Sequence, residues 1–270
     1  MTVIALCSSK GSPGVTTLTC ALGAVWPAER QVLLAECDPS GGDLALRFGL
    51  NTRRGMASLV LAQRQGPAQD PSFDSHTQCL PGGLEVLPGP VGADSAIALD
   101  HEIAKAAGTV LPRERDSLVD CGRLGPAAPG QRRILEESDA VVLVARPEAS
   151  ALGNARWALE RLKDLERAEH TSMVLVGRGQ FSISEVSGAL GVEIIEIVPD
   201  DPGGAAVACG VPGKARAFAR SPLLASARRI VQRILCEVSI ANSNVVTLTD
   251  GLVENEVIQA PSELTNAGTQ

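Results

Sequence analysis

A glycine-containing segment near the N-terminus has residue types that can bind an anion. It reads Ser9-Lys10-Gly11-Ser12-Pro13-Gly14-Val15-Thr16-Thr17 and separates a short apolar run from a run with helical spacing. Backbone amides in a strand-to-helix turn, together with the helix N-terminus, point at a bound phosphate. The segment therefore predicts a phosphate-binding loop. The alternative interpretation is a Gly/Pro turn that binds no ligand.

Two carboxylates accompany other apolar runs. Asp38 follows the run at 31–36 and precedes a Pro-Ser-Gly-Gly turn, and Asp120 lies in the run at 117–121. In parallel α/β sheets, ligand-binding groups gather at the carboxyl edge of the strands. A carboxylate there can orient an attacking water or join a Mg²⁺ shell. In the alternative interpretation, each aspartate only caps a strand or turn.

Strand and helix patterns alternate along the chain. Strands are predicted at 2–7, 31–36, 84–87, 117–121, 140–145, 173–177 and 193–198. Helices are predicted at 14–26, 42–48, 56–63, 94–107, 131–137, 148–168, from about 182 or 184, and at 221–237. This alternation predicts one α/β domain over 1–237, with a single doubly wound, mostly parallel sheet and helices on both faces. Residues 64–82 are expected to form a surface excursion, and residues 238–270 an acidic, disordered tail.

The composition limits the classes of protein that fit. Apolar residues make up 44% and aromatic residues 2%, so Val, Leu, Ile and Ala must form the core. A net charge of −7 argues against a general nucleic-acid coat. The seven cysteines and three histidines lack metal-ligand spacing, and no disulfide framework follows from them. Since neither a signal peptide nor an apolar run of about 18–20 residues is present, we expect a cytoplasmic protein without membrane insertion.

The loop at 9–17 resembles the deviant Walker A motif of the ParA/MinD superfamily, K-G-G-x-G-K-[ST]-T. Lys10 matches the signature lysine of that motif, Gly11 and Gly14 match its glycines, and Thr16 matches its Mg²⁺-binding hydroxyl. The resemblance implies that the backbone from Gly11 to Thr17 surrounds the phosphates of a nucleotide.

Two positions of the loop depart from the motif. Ser12 replaces a glycine that allows close approach of the phosphates, and Val15 replaces the lysine that contacts the β- and γ-phosphates. Each lost charge-assisted hydrogen bond weakens binding by roughly 1.5–3 kcal/mol. Removing a charge-stabilising group from a transition state lowers the rate on the order of 10²–10³-fold. We therefore expect nucleotide binding with weak or no hydrolysis.

Two further segments resemble motifs of the same superfamily. Residues 33–44 are similar to its hydrophobic-D-x-D-P-x-G motif, in which Asp38 matches the aspartate that positions the attacking water. Glu36 stands in place of the first aspartate of that motif. Residues 117–122 resemble the Walker B strand, which implies that Asp120 holds Mg²⁺ through water.

The later part of the chain continues the resemblance in the same order. Residues 140–148 are similar to the strand and V-x-x-P-E turn that follow Walker B. The strand that usually ends in Asn-Arg beside the adenine here ends in Gly177-Arg178, which assigns Arg178 to the nucleotide. The segment at 197–201 resembles the P-x-D segment that lines the base, which assigns Pro199 and Asp200 to the nucleotide as well.

The resemblance implies a degenerate member, similar to TadZ/CpaE pilus-positioning proteins or to partition-like proteins of high-GC bacteria. Such a protein would bind ATP or ADP with Mg²⁺ at Thr16, Asp38 and Asp120, and Lys10 would reach the partner's phosphates in a homodimer. The leading hypothesis is a nucleotide-responsive positioning or scaffolding protein that recruits a protein partner. The alternatives are an active partition-type ATPase, with Lys10 or an arginine compensating for Val15, and a pseudo-ATPase scaffold that binds no nucleotide.

Basic residues cluster near the last predicted helix. They are Lys214, Arg216, Arg220, Arg228, Arg229 and Arg233. ParA proteins bind DNA nonspecifically through scattered basic residues, so a DNA-binding face is one interpretation. We favour the solvated outer face of an amphipathic helix, because apolar residues recur at helical spacing from 223 to 235. No Lys or Arg follows position 233, so the acidic tail is not expected to bind an anionic membrane.

Overall fold

A computed structural model describes residues 1–10, 13–64, 72–106, 110–112 and 114–253, with side chains described as far as residue 240. Within these ranges, eight strands form one sheet. They are β1 (Val3–Ser8), β2 (Val32–Glu36), β3 (Gln78–Cys79), β4 (Glu85–Leu87), β5 (Asp116–Arg123), β6 (Ala140–Ala145), β7 (Thr171–Val176) and β8 (Glu193–Val198). Their order is β3-β4-β2-β5-β1-β6-β7-β8, and all neighbours are parallel except β3 and β4.

Helices lie on both faces of this sheet. They are α1 (Val15–Ala24), α2 (Leu44–Phe48), α3 (Met56–Arg64), α4 (Phe73–His76), α5 (Ala93–Lys105), α6 (Pro129–Glu137), α7 (Ala149–Asp164), α8 (Ile183–Leu190), α9 (Pro202–Ala208), α10 (Ala215–Ala219) and α11 (Pro222–Val253). A 3-10 turn covers Ala168–His170. The predicted fold, a doubly wound and mostly parallel α/β sheet, is thereby confirmed.

Alternating side chains of the central strands form two apolar layers, since successive strand residues point to opposite faces. In β1, Ile4 and Leu6 join the layer beneath α1, α9 and α11. Ala5 and Cys7 join the layer beneath α3 and α5–α8. Because both faces are covered, β1 is apolar along nearly its whole length, which is typical of a buried parallel strand.

The predicted surface excursion at 64–82 contains short elements that the sequence did not predict. Residues 65–71 lie outside the described part of the chain. The remainder forms α4 and the edge strand β3, which pairs antiparallel with β4. Two residues are too few to show strand periodicity in a sequence. Helices α9 and α10 were also not predicted, and at seven and five residues they leave only a weak helical pattern.

The last helix extends beyond its predicted end at 237 and corrects the predicted boundary of the tail. Helix α11 continues to Val253, so residues 238–253 are helical. Its first part packs on α1 and β8, and extending an existing helix requires no new nucleation. Residues 254–270 lie outside the described residues. Among the described helices, none combines the length and the apolar character that crossing a bilayer requires.

A buried carboxylate anchors the amino edge of the sheet. Asp116, at the start of β5, accepts hydrogen bonds from Trp26 Nε1 at 2.9 Å, Arg30 Nε at 2.6 Å and the Thr2 amide at 2.9 Å. Burial alone would raise the pKa of Asp116, but the Arg30 and Trp26 hydrogen bonds hold it below its usual value. This network joins β1, β5 and the α1–β2 connection at the edge opposite the predicted site.

Candidate functional site

The predicted phosphate loop lies at the carboxyl edge of the sheet, between β1 and α1. Gly14 precedes the helix with a φ of +98°, in the left-handed region that favours glycine. The Leu18 amide donates to the Gly14 carbonyl at 2.8 Å and begins the helix. Lys10 is exposed at the start of the loop, whereas Gly11 and Ser12 lie outside the described residues.

Val15, the first residue of α1, has an uncharged side chain at the position of the motif lysine. Its side chain is 6% exposed and packs in the apolar layer that α1 shares with α11. The position at which the resemblance implies a phosphate-binding lysine is therefore a core position in this chain.

The two threonines of the loop have different environments. The Thr17 hydroxyl shares a hydrogen bond of 3.1 Å with Cys209 Sγ, which also accepts one of 3.0 Å from Arg47 Nη1. The Thr16 hydroxyl instead lies beside the Asp120 carboxylate and stabilises its charged form. Thr16 therefore remains the loop hydroxyl best placed for a metal. Sequence analysis missed Arg47 and Cys209, which belong to α2 and to the turn after α9.

Asp120 has an unsatisfied carboxylate oxygen. The residue is 1% exposed, and its Oδ1 accepts a hydrogen bond of 2.9 Å from the Gly122 amide. Its Oδ2 is buried without a well-formed hydrogen bond among the described residues, although the nearby Thr16 hydroxyl favours the charged form of this carboxylate. Burial raises the pKa of Asp120 to about 6, against the opposing effects of Thr16 and the Gly122 amide.

Asp38 follows the end of β2 and lies near Asp120, which is inside the neighbouring strand β5. The Cys37 amide donates to the Asp120 carbonyl at 2.7 Å, which continues the pairing of β2 with β5. Asp38 Oδ1 accepts a hydrogen bond of 2.7 Å from the Ser40 amide, while its Oδ2 lies against Gly122. Burial raises the pKa of Asp38 from its ordinary value. The fold thus brings both predicted carboxylates to one place beside the loop.

Glu36, the last residue of β2, holds two neighbouring backbone segments in place. Its carboxylate accepts hydrogen bonds from the amides of Asp43 at 2.7 Å, Leu44 at 3.1 Å and Gly89 at 2.9 Å. Burial raises the pKa of Glu36 to about 7, against the effect of these amides. Glu36 therefore fixes the start of α2 and the β4–α5 loop to the end of β2.

The side chains present fit a Mg²⁺ ion that arrives with a nucleotide. Mg²⁺ takes oxygen ligands, keeps several waters, and is usually bound by one or two carboxylates together with phosphates. The Thr16 hydroxyl and the unpaired Oδ2 of Asp120 supply such oxygens. In the described ranges, no three His, Cys, Asp or Glu side chains come together as a metal-binding group. Phosphate and water oxygens would therefore have to complete the coordination.

A groove of about 210 Å³ extends from the loop toward the ends of β7 and β8. Gly14 and Thr17 line one side, and Pro199 and Asp200 line the other; the sequence analysis assigned all four to the nucleotide. Arg178 is exposed and is not part of this lining, so its assignment to the nucleotide stays a prediction.

An ion pair covers the end of β7 in this groove. Arg146 Nη1 lies 3.8 Å from Asp200 Oδ1, and both side chains are exposed. A β-carbon at Gly177, where φ is +87°, would lie 3.0 Å from the Asp200 carboxylate and 3.3 Å from Arg146 Nη1. Arg146 and Asp200 therefore occupy the space beside the glycine that replaces the expected asparagine. Sequence analysis did not select Arg146, although its position directly after β6 places it at the carboxyl edge.

Comparisons with known proteins agree with this geometry at the level of the fold. No protein-family model matches the chain. MinD of Pyrococcus horikoshii, solved with Mg-ADP, is similar with a TM-score of 0.68 and 18% identity, over 86% of this chain and 95% of that one. A ParA family ATPase of Chlorobium tepidum is similar with a TM-score of 0.64 and 18% identity, over 86% and 98% of the two chains.

Curated proteins give a partial match. The ESX-1 secretion-associated protein EspI of Mycobacterium tuberculosis is 32% identical over 167 residues, which are 60% of this chain and 24% of that protein. The chain thus spans about a quarter of the length of these relatives. The chain has the fold of the ParA and MinD ATPases.

Proposed function

We propose that this chain is a nucleotide-responsive positioning or scaffolding protein of the ParA/MinD type. It binds ATP or ADP with Mg²⁺ between the β1–α1 loop and the segment at Pro199 and Asp200. The nucleotide then promotes a homodimer that recruits a protein partner, with weak or no hydrolysis.

The unpaired Oδ2 of Asp120 is the observation that carries this proposal. A buried carboxylate oxygen without a partner is costly, and such an oxygen is retained where a ligand or metal completes it. Thr16 and Asp38 flank Asp120 at the loop, so a Mg²⁺-nucleotide would supply the missing interaction. When bound, Mg²⁺ neutralises phosphate charge, and Thr16 and Asp120 hold it beside the loop.

Weak hydrolysis follows from the loop itself. Val15 is packed in the core and provides no positive charge for the phosphates. Lys10 is exposed at the loop and is free to reach a second copy, which supports nucleotide-linked dimerisation. In this account, Asp38 keeps a place for an attacking water but lacks a cation to stabilise the transition state.

Calorimetric titration with ATP and ADP, with and without Mg²⁺, tests the proposal. We expect Mg²⁺-dependent binding that is lost in Asp120→Asn and kept in the control Asp164→Asn, an exposed position at the end of α7. Light scattering should show that Mg²⁺-nucleotide increases the dimer fraction above its nucleotide-free level. If no nucleotide binds, the chain is a pseudo-ATPase scaffold. If phosphate release exceeds background and disappears in Asp38→Ala, the chain is an active partition-type ATPase.

The process that the protein serves is a second question. Positioning of pili and partitioning of DNA follow from the motif resemblance, and the match to the ESX-1 secretion-associated protein EspI adds a role associated with secretion as a candidate. Deleting the gene in its source organism, and measuring pili, plasmid retention and secreted proteins, distinguishes these processes. The affected process should be restored by the wild-type gene and not by Asp120→Asn.

A further inference from the structure

A large apolar groove lies away from the nucleotide site, on the face that α1 and α11 cover. Its volume is about 650 Å³, and it is formed by α1, the β3–β4 turn and the segment from α9 to the start of α11. The larger apolar side chains that line it are Phe48, Leu80, Leu84, Val211, Phe218 and Leu224. Val211 is 54% exposed, which is unusual for a valine beside such a concave surface. A surface of this kind marks a site of interaction.

Exposed cations lie in and next to the segment that lines this groove, and Arg228 donates a hydrogen bond of 3.1 Å to the Ala219 carbonyl. Arg228 lines it, and Lys214, Arg216 and Arg220 flank its lining residues along α10. All four are exposed, and none forms an ion pair within the described part of the chain. The structure therefore divides the basic cluster seen in the sequence. The other two members are neutralised: Arg229 pairs with Glu196, and Arg233 with Glu193 and Glu237.

An apolar hollow with a cationic rim is complementary to a peptide that carries both apolar and acidic side chains. DNA could use the cations but has no side chains to fill the hollow. A bilayer is bound by apolar groups that protrude from a protein, and this surface is concave. The chemistry of the groove thus favours an acidic peptide segment.

The C-terminal sequence of the same chain has that chemistry. Residues 254–270 include Glu254, Glu256 and Glu263 together with Val257, Ile258 and Leu264, and they contain no Lys or Arg. The local excess of negative charge matches the local excess of positive charge around the groove.

This segment cannot place its first two glutamates in the groove of its own chain. Helix α11 runs from the groove at Arg228 to Val253, a distance of roughly 38 Å at about 1.5 Å per residue. Returning over that distance takes about eleven residues even when fully extended. Glu254 and Glu256 lie at the start of such a return and stay far from the groove of their own chain. A second copy has no such restriction and can present all three glutamates to the groove.

We propose that this groove binds residues 254–264 of a second copy of the chain. The glutamates pair with the rim cations, and the apolar side chains between them enter the hollow. This contact is separate from the nucleotide-dependent dimer, because its residues lie outside the nucleotide site. It therefore forms without nucleotide or Mg²⁺, and it weakens as ionic strength rises.

Fluorescence anisotropy tests the proposal with a labelled synthetic peptide of residues 254–270. The receptor is the full chain carrying Glu254→Gln, Glu256→Gln and Glu263→Gln, so that its own C-terminus does not compete. We expect saturable binding without nucleotide. Adding Arg228→Gln should weaken it about two- to fivefold, the range of an exposed ion pair. The matched control is Arg229→Gln, the adjacent residue, which is paired with Glu196 and should leave binding unchanged.

A second measurement addresses the apolar part of the contact and the native assembly. Val211→Asp should abolish peptide binding, with thermal unfolding confirming that the variant is folded. Light scattering of the nucleotide-free wild type should show concentration-dependent association that the triple Gln variant lacks. Absence of peptide binding, or equal loss in Arg228→Gln and Arg229→Gln, would overturn the proposal. Since every arm is performed without nucleotide, failure of the proposed nucleotide site does not affect the outcome.

Discussion

The carboxylate of Asp38 lies directly against the α-carbon of Gly122. A β-carbon at position 122 would be 1.9 Å from Asp38 Oδ2 and 2.0 Å from Asp38 Cγ. Gly122 also has a φ of +56°, which an L-side chain rarely adopts. The end of β5 must therefore be glycine for the Asp38 side chain to occupy its place beside Asp120.

Replacing this glycine tests the contact. Gly122→Ala adds a steric conflict, about 1–3 kcal/mol for overpacking, to the ~1–2 kcal/mol cost of the left-handed backbone. Gly49→Ala is the matched control, because its φ is +64° and no atom lies within 4 Å of the added carbon. Urea unfolding should show a larger loss for Gly122→Ala than for Gly49→Ala. The double variant Asp38→Ala/Gly122→Ala should recover most of the difference, and strict additivity would contradict the contact.

Two buried aspartates on β5 should respond oppositely to the same substitution. Asp116→Asn weakens the hydrogen bonds from Arg30 and Trp26, and we expect a loss of about 1–3 kcal/mol in the free energy of unfolding. Asp120→Asn removes a buried charge whose Oδ2 has no partner in the described structure, so stability should be unchanged or higher without nucleotide. Chemical unfolding of both variants without Mg²⁺ checks this. A large loss in Asp120→Asn would show that its carboxylate is satisfied.

The pH dependence of stability should reveal Asp116 in acid. Because the folded pKa of Asp116 is lowered, its stabilisation is present above the unfolded pKa of about 3.9 and is lost as the pH falls through the folded value. Arg30 is the charged group that faces it, and Glu29 acts on Arg30. We expect Asp116→Asn to show a shallower fall in stability below about pH 4 than wild type. Equal slopes for the two proteins would contradict the lowered pKa, and exposed Asp164→Asn serves as the control.

The sequence predicted the long elements of the fold because buried parallel strands and their helices leave strong patterns. Strands β6 and β8 have the predicted bounds, and most others differ by one or two residues. Short elements were missed, among them β3 and α10, because their pairing depends on distant parts of the chain. The predicted end of α11 was wrong for a related reason. The polar composition after residue 237 indicated a disordered tail, but the helix continues there from a segment that packs on the sheet.

The candidate site was predicted where its residues lie in motifs and missed where they meet only in three dimensions. Asp38 and Asp120 come together because β2 and β5 are neighbours. Arg146 lines the groove and forms an ion pair with Asp200. No pattern in the sequence around Arg146 indicates that partner. The hydrogen bond between Thr17 and Cys209 joins residues far apart in the sequence. The sequence therefore could not predict that the Thr17 hydroxyl already has a hydrogen-bond partner.

The different environments of the two loop threonines give a direct comparison. Thr16→Val removes the hydroxyl beside Asp120 and should weaken Mg²⁺-dependent ADP binding about tenfold or more, as for a charge-assisted hydrogen bond. Thr17→Val removes a hydroxyl already bonded to Cys209 and should change the affinity much less. Calorimetry with Mg²⁺ and with a chelator separates the metal from the phosphate contribution. A larger effect in Thr17→Val would move the metal-binding role to that residue.

Restoring the missing lysine tests the account of the loop. Val15→Lys places an ammonium at the first residue of α1, where the resemblance implies contact with the β- and γ-phosphates, and we expect ATP affinity to rise about tenfold or more. The substitution also replaces a core side chain that is 6% exposed, so stability should fall by about 1–3 kcal/mol. Val15→Met is the matched control, because it adds similar length without charge. Calorimetric titration should show tighter ATP binding for Val15→Lys alone, with a smaller gain for ADP. If Val15→Lys and Val15→Met bind ATP equally well, the loss of a cation at position 15 is not what limits nucleotide binding.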